Sequence, residues 1–144
     1  MRMTAAEVNA FIDRGLPGFR LSGLSVAAVG DQSVTVVQAY RDDQLRPGGS
    51  LSGPTLMALA DTAMYALILA QLGPVAMAVT QNLNIHFLRR PQPADVQAEA
   101  RFLRLGRRSA VIDVVMTTVG DSTLVAHATG TYALPVAESA TLAP

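Results

Sequence analysis

Asp61 stands in a run that is otherwise almost wholly apolar, residues 54–72, closed by Gly73 and Pro74. The run has helix length and helix-favouring residues. A helix apolar on nearly every side belongs in a core. A carboxylate carried there loses hydration, which is costly unless something compensates. Carboxylates in such surroundings serve as general bases or nucleophiles. The plainer alternative is a structural acid, paired with an arginine or capping a neighbouring element. Ser52, Gly53 and Pro54 open the run. Ser52 or Gly53 suits the N-cap, and Pro54 suits the first turn, where its missing N–H has no intrahelical partner. Gly53 leaves the backbone open to close approach. Free N–H groups and the positive end of the helix dipole are then aimed at one point. Negative charge developing on an oxygen placed there would be stabilised.

Further candidates surround this helix. Met57 and Tyr65 lie one turn either side of Asp61, with Met64 close by. They are core residues or the lining of a pocket, and a buried Tyr65 hydroxyl needs a partner. Asn82, Asn84 and His86 share one strand face, solvated or between subunits, with Asn82 placed to reach toward Thr80. His86 and His127 have no metal-ligand spacing with carboxylates or with each other, so no metal is expected. Arg89, Arg90, Arg104, Arg107 and Arg108 gather near strand ends. They are solvated tips or phosphate contacts, since arginine binds phosphate well.

The elements that must position these groups follow from pattern. The chain has 144 residues, enough for one domain with a real core. Half of them are hydrophobic and 15% are charged, against about 25% in an average soluble domain. Large buried surfaces, subunit interfaces included, would account for that. Net charge is zero, which gives no footprint for nucleic acid. Cysteine is absent, so disulfides and thiolate metal sites are excluded. Residues 1–15 lack the apolar core of a signal peptide and read as a short helix, with Thr4 and Glu7 spaced as a capping box. The run 54–72 is the one membrane-span candidate, and inserting Asp61 would cost about 3 kcal/mol. A cytoplasmic protein without membrane partners is therefore expected.

Strands are predicted over 23–29 and 33–40, joined by a hairpin at Gly30-Asp31. A Gly-rich loop, 41–51, leads into the helix. Four more strands are predicted as a meander: 75–88, 95–105, 109–119 and 123–134. The stretch 109–119 is apolar on both faces, as a central strand would be. Residues 135–144 form a loose tail. The simplest α+β arrangement is one antiparallel sheet curled around the long helix, with self-association covering what remains exposed.

The order of elements resembles the hotdog fold. Ser52-Gly53-Pro54 through Ala60-Asp61-Thr62-Ala63, followed by Thr80 through Asn84-Ile85-His86-Phe87-Leu88-Arg89 and the Gly106-Arg107-Arg108 turn, resembles the phenylacetic-acid-degradation (PaaI-like) acyl-CoA thioesterases. The likeness spans residues 18–134. It implies that Asp61 is the catalytic base or nucleophile. It implies that the Gly53 N–H polarises the thioester carbonyl from the partner subunit and that Thr80 helps place the attacking water. Residues eight apart on a helix are separated by about 12 Å, so one chain's Gly53 and Asp61 cannot share a thioester and two chains are required. Two positions depart from the family. Ser52 replaces a histidine at the helix start, and Arg46 replaces a loop carboxamide, where it would pair with Asp61 or bind a substrate carboxylate.

The expectation is thus a single hotdog domain over 1–144, at least dimeric and by resemblance tetrameric. It would hydrolyse a small or medium acyl-CoA, aliphatic or aromatic, without a bound cofactor. Arg46, Ser52, Met57, Tyr65 and Asn82 would border the substrate, and Arg107 and Arg108 would meet the CoA phosphates. Hotdog hydratases and dehydratases need a histidine at the site, and none follows Asp61 on its helix. Two rivals remain: a non-catalytic acyl-CoA-binding or sensing protein, and a structural oligomer with Asp61 ion-paired in a dry core.

Overall fold

The computed structural model describes residues 2–75 and 77–135. Most of the predicted tail therefore lies outside the described residues. Helix α1 (Ala5–Gly15) opens with the expected capping box, Thr4 and Glu7 each accepting the other's backbone N–H. Strands β1 (Leu24–Gly30) and β2 (Ser33–Gln38) form the expected hairpin, with Gln32 taking the positive φ. Helix α2 (Gly53–Leu72) follows, then β3 (Val79–Phe87), β4 (Val96–Leu105), β5 (Ser109–Thr118) and β6 (Leu124–Ala133).

The six strands form one antiparallel sheet in the order β1-β2-β4-β5-β6-β3 around α2. This is the hotdog arrangement expected from the sequence, with one correction. The last four strands are not a simple meander. β4 pairs with β2, and β3 crosses to the far edge beside β6. Segment 88–95, with Pro91 and Pro93, makes the crossover rather than a tight turn. The placement leaves β3 with one unpaired edge, and none of its residues is fully buried.

Burial follows the two periods. On β5, Ala110, Ile112, Val114 and Met116 point at α2 and are fully buried, while Val111, Asp113 and Val115 alternate outward. On α2, every residue from Ala66 to Gln71 is buried. The helix has the length and mean hydropathy (1.5) of a membrane span, yet 67% of that window is buried inside the fold. It is the core helix of a sheet-wrapped domain.

The N-terminus of α2 is fixed by local bonds. Ser52 is the N-cap and accepts from Thr55 N at 3.2 Å. Thr55 Oγ1 donates to Gln44 Oε1 at 2.7 Å, and Ser52 N donates to Gln44 O at 2.9 Å. Tyr40 pins the preceding loop by donating to Gly49 O at 2.8 Å. The middle of α2 comes close to β6 because Gly130 has no side chain. A Cβ there would lie 2.5 Å from Met64 Sδ and 2.9 Å from the Asn82 carbonyl oxygen.

The Gly130→Ala chain should therefore be destabilised by about 1–3 kcal/mol, the usual cost of overpacking a tight core. Urea unfolding measures this, and a change under about 0.5 kcal/mol would show that the helix has room to spare.

Candidate active site

Asp61 lies on the face of α2 that the sheet leaves partly open, in line with Pro54, Met57, Ala58, Thr62 and Tyr65. The sequence suggested a carboxylate sunk in the core. It is instead half-buried, because the sheet wraps the C-terminal half of the helix more completely than the N-terminal half. Its partners are hydroxyls. Thr80 Oγ1 donates to Asp61 Oδ1 at 2.7 Å. Tyr132 OH donates to the same oxygen at 2.7 Å and approaches the Asp61 main-chain carbonyl at 3.2 Å. Among the described residues of this chain no guanidinium pairs with Asp61, and a cavity that Arg14 also lines opens beside it, unlike the dry core that the structural alternative expects.

Backbone register explains how both hydroxyls reach one oxygen. Thr80 and Tyr132 face each other across β3 and β6. Asn82 pairs with Thr131, so Gln81 is an extra residue in β3. A bulge of this kind re-aims side chains near a site. Without it, period-two alternation would put Thr80 on the outer face with Asn82 and Asn84. With it, Thr80 turns inward beside Tyr132.

A cavity of about 660 Å³ opens beside Asp61. Tyr65, Thr80 and Tyr132 form its inner wall, and Phe11, Ile12 and Leu16 of the α1 region form the outer one. The Tyr65 and Tyr132 rings stack with centroids 6.3 Å apart and planes at 19°. Burial raises the Tyr65 phenol above its ordinary range. Burial above all drives the Tyr132 phenol much further up, opposed by the Thr80 hydroxyl and helped by the Asp61 charge. Both stay protonated as donors through neutral pH. Asn9 anchors α1 by clamping the β1 backbone, its Nδ2 donating to Val26 O at 2.9 Å and its Oδ1 accepting from Val26 N at 2.8 Å.

Gly53 belongs to a second cavity, of about 450 Å³, that it shares with Arg46, Ser50, Phe87, Arg89 and Arg90. Arg46 therefore lies near the N-terminus of α2 and away from Asp61 of its own chain. Ser52 is a helix cap and borders neither cavity. Met57 is 41% exposed and also lines neither, because it points out from the helix next to the open face. Asn82 turns outward opposite Thr131, on the other side of the bulge from Thr80. Arg107 and Arg108 form the β4–β5 turn outside both cavities, where Arg108 O accepts from Leu134 N at 2.8 Å. Their turn sits at the end of the sheet that carries the cross-strand row Ala110, Tyr132 and Thr80. His127 Nε2 lies 2.6 Å from Asp113 Oδ1 on the outer face. Among the described residues no three His, Asp or Glu side chains gather as a metal would require.

Sequence reasoning thus brings Asp61, Thr80 and Tyr65 to one cavity and places Gly53 with Arg46 at another. It misses Tyr132 and the wall formed by α1. The only local sign of Tyr132 was its place as a polar-tipped aromatic on an otherwise small-residue strand. The sign of α1 was its apolar stripe of Val8, Phe11 and Ile12.

Comparison with known proteins agrees with this fold. The family model of the thioesterase superfamily matches residues 48–125, more than half of the chain. A candidate thioesterase from Silicibacter sp. TM1040 has 37% identity, a TM-score of 0.83 and coverage of 91% of each chain. A point variant of the phenylacetic acid degradation protein PaaI from Thermus thermophilus has 28% identity and a TM-score of 0.72. That match covers 83% of this chain and 99% of that one. A candidate esterase from Thermoplasma acidophilum is 27% identical over 107 residues, 74% of this chain and 80% of that protein. The sequence-level likeness to PaaI-type enzymes therefore stands, and the chain belongs to the thioesterase superfamily as a hotdog-fold thioester hydrolase.

Proposed function

We propose that this hydrolase cleaves a small or medium acyl-CoA, aliphatic or aromatic, to the free acid and coenzyme A. The observation that carries the reading is a carboxylate held by two hydroxyls at the edge of a largely apolar cavity, which Arg14 also lines. The acyl group lies between α1 and α2, against Phe11, Leu16 and Tyr65. Asp61 removes a proton from water or attacks the acyl carbon directly. Thr80 Oγ1 spends its hydrogen on Asp61, so its lone pairs remain free to accept from the attacking water.

The active unit is at least a dimer. Gly53 and Asp61 of one chain open into different cavities, and about 12 Å of helix separates them. The unpaired edge of β3, with Val79 55% exposed and Phe87 52% exposed, is the surface on which two chains would join. The partner's α2 N-terminus then supplies the oxyanion donors. Joining two such dimers gives the tetramer expected by resemblance. Arg107 and Arg108 reach the coenzyme phosphates, and a cytoplasmic location goes with that substrate. No metal or other cofactor enters the reaction as written. A non-catalytic acyl-CoA sensor is the second reading, favoured by Arg46 and Ser52 standing where the family has a carboxamide and a histidine.

Steady-state hydrolysis over a panel of acyl-CoAs separates the two. The unsubstituted chain should turn over, and Asp61→Asn should lower kcat by about 10²–10⁴ because the proton acceptor is lost while the shape is kept. Binding without turnover on any chain length would establish the sensor. Activity that survives Asp61→Asn would refute the mechanism. Replacing Arg107 and Arg108 together by Ala should raise KM about tenfold with little change in kcat, since phosphate contacts are made equally in ground and transition states. Phe11→Ala should move the kcat/KM preference toward longer acyl groups by about tenfold, the scale of one or two methylenes in a pocket. An unchanged chain-length profile would take α1 out of the acyl site.

A further inference from the structure

We propose that Tyr132 is a positioning residue that selects which oxygen of Asp61 reacts. Together with Thr80 it occupies Oδ1 and leaves Oδ2 to face the substrate. The inference rests on the hydrolase reading above and names a residue for that same site.

Oδ1 receives two hydroxyl donors at 2.7 Å, and among the described residues none is donated to Oδ2. The terminal torsion of an aspartate is soft and roughly two-fold. A carboxylate with no partners on Oδ1 would exchange its oxygens freely. Two donors arriving from a cross-strand pair hold it to one setting. The holding group is itself fixed. The Tyr132 residue is 3% exposed, its ring stacks on Tyr65, and its hydroxyl also approaches the main-chain carbonyl of Asp61. Helix and strand are thus tied at both the backbone and the side chain of the reacting residue. Burial keeps this phenol protonated, so it remains a donor well into the alkaline range.

The proton count closes without Tyr132 changing state. In the general-base path Oδ2 accepts a proton from water, and the hydroxide adds to the acyl carbon. The tetrahedral intermediate then breaks its C–S bond, and the departing thiolate takes the proton back from Oδ2. In the nucleophilic path Oδ2 forms the acyl bond as the C–S bond breaks, and water later hydrolyses the anhydride. Oδ2 is the reacting atom in either path, and Tyr132 and Thr80 keep their hydrogens throughout.

The test is Tyr132→Phe in the intact oligomer, since phenylalanine keeps the ring and its stack. The expected result is a fall in kcat of about 10–100-fold with KM within about twofold, and a thermal transition close to that of the unsubstituted protein. A crystal structure of the variant should show the Asp61 carboxylate turned or in two settings. A kcat within twofold of the unsubstituted protein, or a loss expressed only in KM, would overturn the inference. So would a carboxylate that keeps its place. A chain that hydrolyses no acyl-CoA before substitution would refute the hydrolase reading instead, and the crystal structure would still decide whether Tyr132 holds the carboxylate. If the phenylalanine chain fails to fold, p-aminophenylalanine at position 132 takes its place, because it keeps the ring and a hydrogen-bond donor to Oδ1. Its kcat should stay within about tenfold of the unsubstituted protein with the Asp61 carboxylate in place. A carboxylate turned away from position 132 in its crystal structure, or a larger loss of kcat with the carboxylate unmoved, would overturn the inference.

Discussion

One carboxylate oxygen receiving two hydroxyl hydrogens is the interaction on which the site depends. Asp61 Oδ1 is reached by Thr80 from β3 and by Tyr132 from β6, and both bonds exist only if those strands are neighbours. The neighbour relation comes from the crossover that carries β3 to the edge beside β6. The approach of α2 to that strand pair depends on Gly130, where no Cβ fits. The inward turn of Thr80 depends on the extra residue Gln81. Topology, close packing and a local bulge thus converge on a few ångströms of space around a single side chain.

The same geometry separates Gly53 from Asp61. α2 is long, and its N-terminus and its acid face different ways. The positive end at Gly53 opens among arginines, and the acid opens onto an apolar cavity. On the proposed reading one chain carries both the oxyanion donors and the nucleophile but about 12 Å of helix apart, so that a second copy completes the site. The shortage of charge in the chain has a counterpart in this division. An edge strand with exposed Val79 and Phe87 is poorly suited to face water alone and well suited to meet a second copy.

Much of this is legible in the sequence. The length and stop signals of α2, the capping box at Thr4 and Glu7, and the strand boundaries follow from local pattern, because periodicity and capping are local physics. Asp61 announced itself as the one charge in an apolar run. What stayed hidden was long-range. The position of β3 next to β6 leaves no mark in either segment, so the last four strands read as a plain meander. Tyr132 lies 71 residues from Asp61, and nothing near it in sequence shows what its hydroxyl touches. Asn82 was expected to reach toward Thr80, and one extra residue between them turns the two to opposite faces. The depth of Asp61 was overstated because composition reveals that a helix is apolar but not which of its turns the sheet covers.

A crystal structure with a non-hydrolysable thioether analogue of an acyl-CoA tests the central claim most directly. The analogue should bridge two chains. The atom standing for the thioester carbonyl oxygen would lie within hydrogen-bond reach of one subunit's Gly53 N–H. Asp61 Oδ2 of the other subunit would face the acyl carbon, with Oδ1 still bound to Thr80 and Tyr132. An analogue seated within a single chain, or bound where neither Gly53 nor Asp61 approaches the acyl carbon, would contradict it.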